Sequence, residues 1–316
     1  MEFAALPAIL RRKASAYRLL RLVGMIVKLL FLGVICFTIL YPFITKLSSM
    51  FMSQRDLMDS TVKLIPKTPT LYNLEFVVEY TSYFQTLFNT VMVSLISGVC
   101  CVISACMVGW GLARYKFFGC KLLLAIVIFI TILPPQTVML GLYTQFRDFD
   151  ILGIFTVLTG SPLRLTDSYW PTMMLSITGV VFRGGLFIFL MRQFYTGLPK
   201  ELVEAARIDG CGHISTFIRI VLPLSTAMMV TVFLFSFSWM WSDTVYSSLF
   251  YSSLKLFANQ VTSVTFVASE GIMYNTRLSS VMLNTSVLLS MLPLLAVYVC
   301  LQRFFVEGIE RSGIVG

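Results

Sequence analysis

The chain has 316 residues, 57% hydrophobic and 12% charged, with a formal net charge of +9 and a mean hydropathy of +0.85. A soluble domain carries roughly twice that charged fraction. An ordinary water-soluble fold is therefore excluded, and an all-α, polytopic membrane protein is expected.

Residues 1–21 read as a cytoplasmic N-terminal segment. Six apolar runs follow, at about 22–44, 84–110, 121–146, 172–192, 221–242 and 280–302. Each is near the roughly 20 residues that a helix needs to cross a bilayer. The first lacks a small-residue cleavage site and reads as a retained anchor, not a removed signal peptide. Pro134-Pro135 breaks the third run and Pro293 falls within the sixth. Proline frees backbone carbonyls and kinks a helix, so each is either a packing kink or a hinge. Gln136 and Tyr143 in the third run and Asn284 in the sixth are candidate polar linings of a substrate path.

Arg183 lies in the middle of the fourth run, beside Gly184-Gly185 and nine residues before Arg192. At 1.5 Å per residue that is roughly 13 Å of depth. An arginine at membrane depth must meet water, a carbonyl or a counter-charge. It is either an interhelical clamp or a group that faces a cavity on a substrate path. The fifth run crowds Phe233, Phe235, Phe237, Trp239 and Trp241 with Ser236, Ser238 and Ser242. These groups suit sugars, and Phe237 and Trp241 are taken as candidate path residues. Their period of two sends them all round a helix, so they cannot all line one pore.

Positive charge sets the orientation. Fifteen Lys and Arg lie in 1–28, 111–121, 192–219 and 303–316, and eight in 45–82, 147–171 and 243–279. The positive-inside rule then places both termini and the segment around Glu204 in the cytoplasm. The net charge of +9 follows from this bias and gives no reason to invoke nucleic acid. The outward segments 45–82 and 243–279 are too long to be mere turns, and Pro66 and Pro69 favour extended backbone there.

The cytoplasmic segment 199–213 has helix chemistry of its own. Pro199 suits a first turn and Glu201 suits the positive end of a helix. Lys200 to Arg207 are good helix formers apart from Val203. Ala205 and Ala206 keep one surface small, and Gly210 and Gly212 end the helix. Leu222-Pro223 marks re-entry into the membrane. Five of the seven cysteines lie within apolar runs with no CxxC pair, so they read as free thiols. His213, the only histidine, cannot build a zinc site of the HExxH type and reads as a surface residue.

The run Glu204-Ala205-Ala206-Arg207-Ile208-Asp209-Gly210, continuing to Ile220-Val221-Leu222-Pro223, resembles the signature of the membrane subunits of bacterial ABC importers. Leu198-Pro199-Lys200-Glu201-Leu202, Trp239-Met240-Trp241-Ser242-Asp243 and Gln302-Arg303-Phe304-Phe305-Val306-Glu307-Gly308 are similar to the carbohydrate-importing branch, closest to the maltose-type permease. The resemblance runs from about residue 84 onward. Ser242 stands where that branch usually has Asn, and Cys211-Gly212-His213 replaces the commoner small residues.

The resemblance implies a six-helix transmembrane permease domain over 22–302 in the prokaryotic inner membrane, forming half of a sugar or oligosaccharide pore. It makes Glu201, Glu204, Ala205, Ala206, Arg207, Asp209, Gly210, Ile220, Leu222 and Pro223 an ATPase-coupling element. It lets Glu307, Gly308 and Gly316 of the tail 303–316 contact the ATPases. The implied partners are a second homologous permease, two ATPase subunits, an extracytoplasmic substrate-binding protein and membrane lipid. The chain has no G-x-x-x-x-G-K-[ST] phosphate loop and no convincing serine–histidine constellation, so ATP and Mg are expected on the ATPases and no catalysis on this chain. An importer of a non-sugar solute and a self-contained secondary transporter are the alternatives. The second would need an acidic or histidine relay inside the spans, and the runs contain none.

Overall fold

The computed structural model describes residues 6–180, 183–271 and 276–313, and among them all regular structure is helical. The principal helices are α1 (Leu6–Met50), α2 (Tyr72–Tyr80), α3 (Tyr83–Arg114), α4 (Cys120–Ile132), α5 (Pro135–Arg147) and α6 (Trp170–Ile177). They continue with α7 (Gly184–Gly197), α8 (Lys200–Ile208), α9 (Thr226–Trp241), α10 (Phe257–Gly271) and α11 (Thr276–Gly313).

Helix α3 is the central post. Its buried face is built of small residues, Ser94, Ser97, Gly98, Cys101, Ser104, Ala105 and Gly109, and α6, α7 and α9 pack against it. Lipid tails are as apolar as leucine, so helices associate in a bilayer by close packing and hydrogen bonds, which small residues permit. Helix α4 lies on α7 in the same way. A Cβ at Gly185 would collide with the Val127 carbonyl oxygen and with Thr131 Oγ1, so only glycine allows this approach. Helix α11 joins α9 to α10. Helix α1 stands on α11, with apolar side chains from Leu22 to Leu47 exposed.

Three of the expected spans are continuous helices, with stretches long and apolar enough to cross a membrane at Arg21–Met50, Tyr83–Arg114 and Arg277–Phe304. The other three are divided. Helices α4 and α5 meet at 100°. Leu133 and Pro134 are extended between them, because the residue before a proline is driven out of the α region. The fifth run bends by 75° at Ser225, between Leu222–Leu224 and α9. The fourth run, read as one helix over 172–192, ends at Ile177 and restarts at Gly184. Arg183 is therefore not inside a helix but sits at the break, with φ +65°. Helices α1 and α11 run without interruption across residues 21 and 302. A helix satisfies its own backbone in water and in lipid alike, so the membrane boundary leaves no mark in it.

The segments expected to face outward are folded. Asn73 Nδ2 donates to the carbonyls of Met50 and Met52 at 3.0 and 2.9 Å. Thr68 N–H donates to Asp56 at 2.9 Å, and Lys67 pairs with Asp59 at 2.7 Å. Asp167 clasps the two later loops. Its Oδ1 accepts the N–H groups of Ser252 and Ser253 at 2.7 and 2.8 Å, and its Oδ2 accepts the Ser252 hydroxyl at 2.8 Å. Burial works against the charge on Asp167, but these donors outweigh it and hold the pKa at about 2.

A lowered carboxylate pKa contributes stability above the unfolded value of about 3.9 and loses it as the pH falls through about 2. Asp167→Asn is thus expected to lower the thermal midpoint at pH 7, with the gap to wild type closing between about pH 4 and pH 2. Differential scanning fluorimetry of the detergent-solubilised protein measures it. Gly185→Leu is expected to lower the midpoint at every pH, through a loss of stability of roughly 1–3 kcal/mol, as is typical of overpacking, or more, because the carbonyl it meets is backbone.

Candidate functional site

The segment expected in the cytoplasm starts where Leu198, extended before Pro199, turns the chain out of α7. Helix α8 follows for nine residues. Its Ala206 is buried and Val203 half-buried, while Glu201, Glu204, Ala205 and Ile208 are exposed. Asp209 N–H donates to Ala205 O at 3.0 Å and Cys211 N–H reaches back to Ala206 O at 2.9 Å, across Gly210 at φ +78°. That six-to-one bond over a left-handed residue is a Schellman cap, and it satisfies carbonyls that the helix end leaves open. Gly210 has open space around it, so glycine is required there by its backbone angle and not by crowding.

Beyond extended Gly212 a short helix, His213–Thr216, leads into a widened turn over Phe217–Val221. There Leu222 N–H donates to Phe217 O, five residues back. Pro223 follows directly, with no N–H to give and a ring that crowds the preceding turn. Asp209 and Pro223 are exposed, and Ile220 and Leu222 half-buried. The side chains of Arg207, Glu307 and Gly308 and the whole of Gly316 lie outside the described residues. On the outer surface Ile208 is 86% and Ile214 75% exposed.

This segment is tied to the core. Arg114, at the end of α3, donates through Nη2 to Leu198 O at 2.7 Å and lies over the Trp110 ring at 5.3 Å. Trp110 stacks on Phe217 and meets Tyr195 edge-on, with centroids 5.9 and 5.5 Å apart. Tyr115 Oη lies 3.3 Å from His213 Nδ1, and Tyr195 Oη 3.4 Å from Ser225 Oγ at the bend before α9. Between these elements is a cleft of about 400 Å³ whose walls include Arg114, Lys116, Lys200, Glu204 and His213. Sequence reasoning did not single out Trp110 or Arg114. An arginine and a tryptophan four residues apart at a helix end were the available signal.

Toward the other end of the same helices, Arg183 is exposed and holds its guanidinium carbon 4.3 Å above the Trp239 ring. Trp239 also stacks with Phe187 and Phe235, at 5.3 and 5.5 Å. A small cavity of about 20 Å³ beside it is lined by Ser97, Ser236, Trp239, Asp243 and Tyr246. Ser97 bonds both Ser176 and Ser236, at 3.2 and 3.3 Å, and Asp243 accepts the Tyr246 and Ser247 N–H groups. Phe237 and Trp241 are placed elsewhere, buried with Phe257, where Trp241 Nε1 donates to Ser290 O at 3.1 Å on α11. Gln136 is exposed in the first turn of α5, Tyr143 is half-buried further along it, and Asn284 is half-buried on α11.

Residues 102–311 match the family model described as the inner membrane component of binding-protein-dependent transport systems. An arabinooligosaccharides transport system permease protein of Halalkalibacterium halodurans is 26% identical over 285 residues, 89% of this chain and 93% of that one. A maltodextrin transport system permease protein of Bacillus subtilis is 26% identical over 305 residues, covering 94% and 98%. The fold is also that of a chain in the crystal structure of a bacterial ABC transporter involved in the import of the acidic polysaccharide alginate. The TM-score is 0.66 at 17% identity, covering 90% of this chain and 97% of that one.

The Schellman cap makes a graded prediction. Gly210→Ala is expected to cost about 1 kcal/mol, the price of a left-handed alanine, and to leave α8 formed. Gly210→Val is expected to unwind its last turn, read as faster amide hydrogen exchange at Asp209 to Cys211 with the exchange of α3 unchanged.

Proposed function

The chain belongs to the family of binding-protein-dependent transport system inner membrane components, and from that premise we propose that it forms half of the pore of a sugar or oligosaccharide importer. The family is a transport-system permease and not an enzyme, and the chain is a component of the inner membrane. It works with an ATPase and a substrate-binding protein. In the proposal ATP and Mg are held by two ATPase subunits, a second homologous permease supplies the other half of the pore, and the binding protein delivers the saccharide to the outer loops.

The observation that carries this reading is the fastening of α8. An amphipathic helix with acidic Glu201 and Glu204 and apolar Ile208 exposed starts directly after the Leu198-Pro199 turn, where Arg114 of α3 holds the Leu198 carbonyl that ends α7. A helix seated in a cleft of an ATPase and joined this way drives α3 and α7 when the cleft moves. ATP binding can bias the membrane packing only if the two ATPase states contact α8 differently. Glu204 and Ile208 provide the charge and the apolar surface for that difference. Glu307, Gly308 and Gly316 of the tail add a second contact with the ATPases in this arrangement. The names of the relatives, which transport arabinooligosaccharides and maltodextrin, support a saccharide as cargo.

Glu204→Lys is expected to abolish ATP-driven uptake in proteoliposomes while the binding protein still captures its saccharide. Normal uptake by that variant would remove the coupling role. A ligand screen of the partner binding protein against neutral oligosaccharides, uronates, polyamines and phosphonates decides the cargo. Binding restricted to the last two classes would replace the sugar reading with the non-sugar importer. Uptake by the purified chain alone under an ion gradient would indicate a secondary transporter.

A further inference from the structure

The side chains around Trp239 have a chemistry that coupling does not use. Arg183 ends a non-helical stretch and precedes the 14-residue α7, which is roughly 21 Å long. Trp239 lies near the far end of the 16-residue α9, again roughly 20 Å from its cytoplasmic start. Both therefore stand about two-thirds of the way across a core some 30 Å thick, toward the outer face. A substrate handed over from outside reaches this level first. An arginine is costly there and is a functional residue by default.

We propose that Arg183 and Trp239 form a saccharide-reading gate. The guanidinium covers the indole face when no substrate is present, and it yields that face to a pyranose ring. Arg183 then donates hydrogen bonds to the sugar hydroxyls.

The parts fit that task. The apolar C–H face of a pyranose packs on an aromatic ring, and the five N–H donors of an arginine suit a ring of hydroxyls. Ser97, Ser236 and Asp243 line the adjoining cavity and supply acceptors for the sugar's own O–H groups. At about 20 Å³ the cavity itself holds no more than a water; the place for a hexose is the Trp239 face that Arg183 covers, so the arginine must move before the sugar can stack there. Arg183 caps the start of α7, its carbonyl accepting the Leu186 N–H at 3.0 Å, and its side chain is exposed, so the guanidinium can swing while the backbone stays anchored. Asp243 sits beside the same ring, so an acidic sugar would meet a carboxylate as well as the arginine. The gate is accordingly matched to neutral saccharides.

This inference rests on the reading of the chain as a saccharide permease, and the two fail separately. The complex of this chain with its sister permease, ATPase and binding protein is reconstituted in nanodiscs. ATP hydrolysis is then measured without saccharide and with maltotriose, raffinose or arabinotriose, with trigalacturonate as the acidic probe. Wild type that no saccharide stimulates overturns the permease reading, and the gate with it. Given a responding wild type, Arg183→Gln and Arg183→Lys are both expected to raise saccharide-independent hydrolysis about fivefold, because lysine keeps the charge but not the planar stack. Trp239→Leu, which keeps apolar volume without an aromatic face, is expected to show the same rise and to cut stimulation by the neutral sugar about tenfold.

Unchanged basal rates and stimulation in assembled Arg183 variants overturn the gate. An equal loss of all activity in the three variants, with loss of co-purification, also overturns it and makes Arg183 a structural clamp. Stimulation by trigalacturonate alone overturns the match to neutral sugars. Where Arg183→Gln does not assemble, Arg183→Lys decides.

Discussion

The close seam between α3 and α7 is the constraint on which the rest of the molecule depends. A Cβ at Gly109 would lie 2.9 Å from Met191 Cβ and 3.0 Å from the Arg192 backbone nitrogen, so the backbones can touch only because that side chain is missing. In lipid there is no hydrophobic gain from pairing helices, and this contact distance is itself the source of stability. The seam sets the reach of Arg114 to Leu198 at one end. Further along the same face of α3, Ser97 meets Ser176 of α6 and Ser236 of α9. Widening the seam by a methyl group would disturb the reach of Arg114.

The divided spans are the second constraint, and they have identifiable causes. Pro134 and Pro135 separate α4 from α5. Pro223, after the widened turn, precedes the bend at Ser225. At the third break, between α6 and α7, Gly179 and Arg183 are both left-handed and no proline is involved. Breaks at membrane depth are tolerated only where protein or a water-lined cavity satisfies the freed backbone. Gly179 N–H bonds Ser176 O and Val180 N–H bonds Leu175 O, so the end of α6 is closed by its own chain. On the other side of the break the Arg183 carbonyl accepts the Leu186 N–H and so caps α7.

Much of the cytoplasmic element was legible in the sequence. Gly210 follows good helix formers at the place where a helix must stop, and the structure caps α8 there. Pro134-Pro135 announced the first break, and the helices part there by 100°; the other two were less legible, since a hydropathy window averages over them. Residues 121–146 average as an apolar run whether the chain runs straight or bends by 100°. The aromatic fifth span shows the same limit. Residues four apart share a helix face, so Phe233, Phe237 and Trp241 form one stripe and Phe235 and Trp239 another. That sorting needs only the helical period. Which stripe meets Arg183 depends on how α9 rotates against α3, and no local signal encodes that rotation. Phe237 and Trp241, taken from the sequence as path candidates, lie on the stripe packed toward α11, whereas Trp239 faces the arginine.

The two ends of α7 relate the separate parts. Leu198, which Arg114 holds, closes the helix at the cytoplasmic side, and Arg183 opens it on the outer side. A helix of 14 residues with its backbone hydrogen bonds intact is stiff over roughly 21 Å. Displacing its foot therefore displaces its head unless the α3 seam yields, and the Gly109 contact leaves little room to yield. Helix α9 is set apart from that motion by the bend at Ser225, whose buried hydroxyl meets Tyr195 of α7. A shift of α7 relative to α9 is the movement that slides the Arg183 guanidinium across the Trp239 ring. In the proposed mechanism the coupling segment and the arginine are the two ends of one lever, so that ATP-driven movement at α8 and substrate contact at Trp239 would act on the same equilibrium.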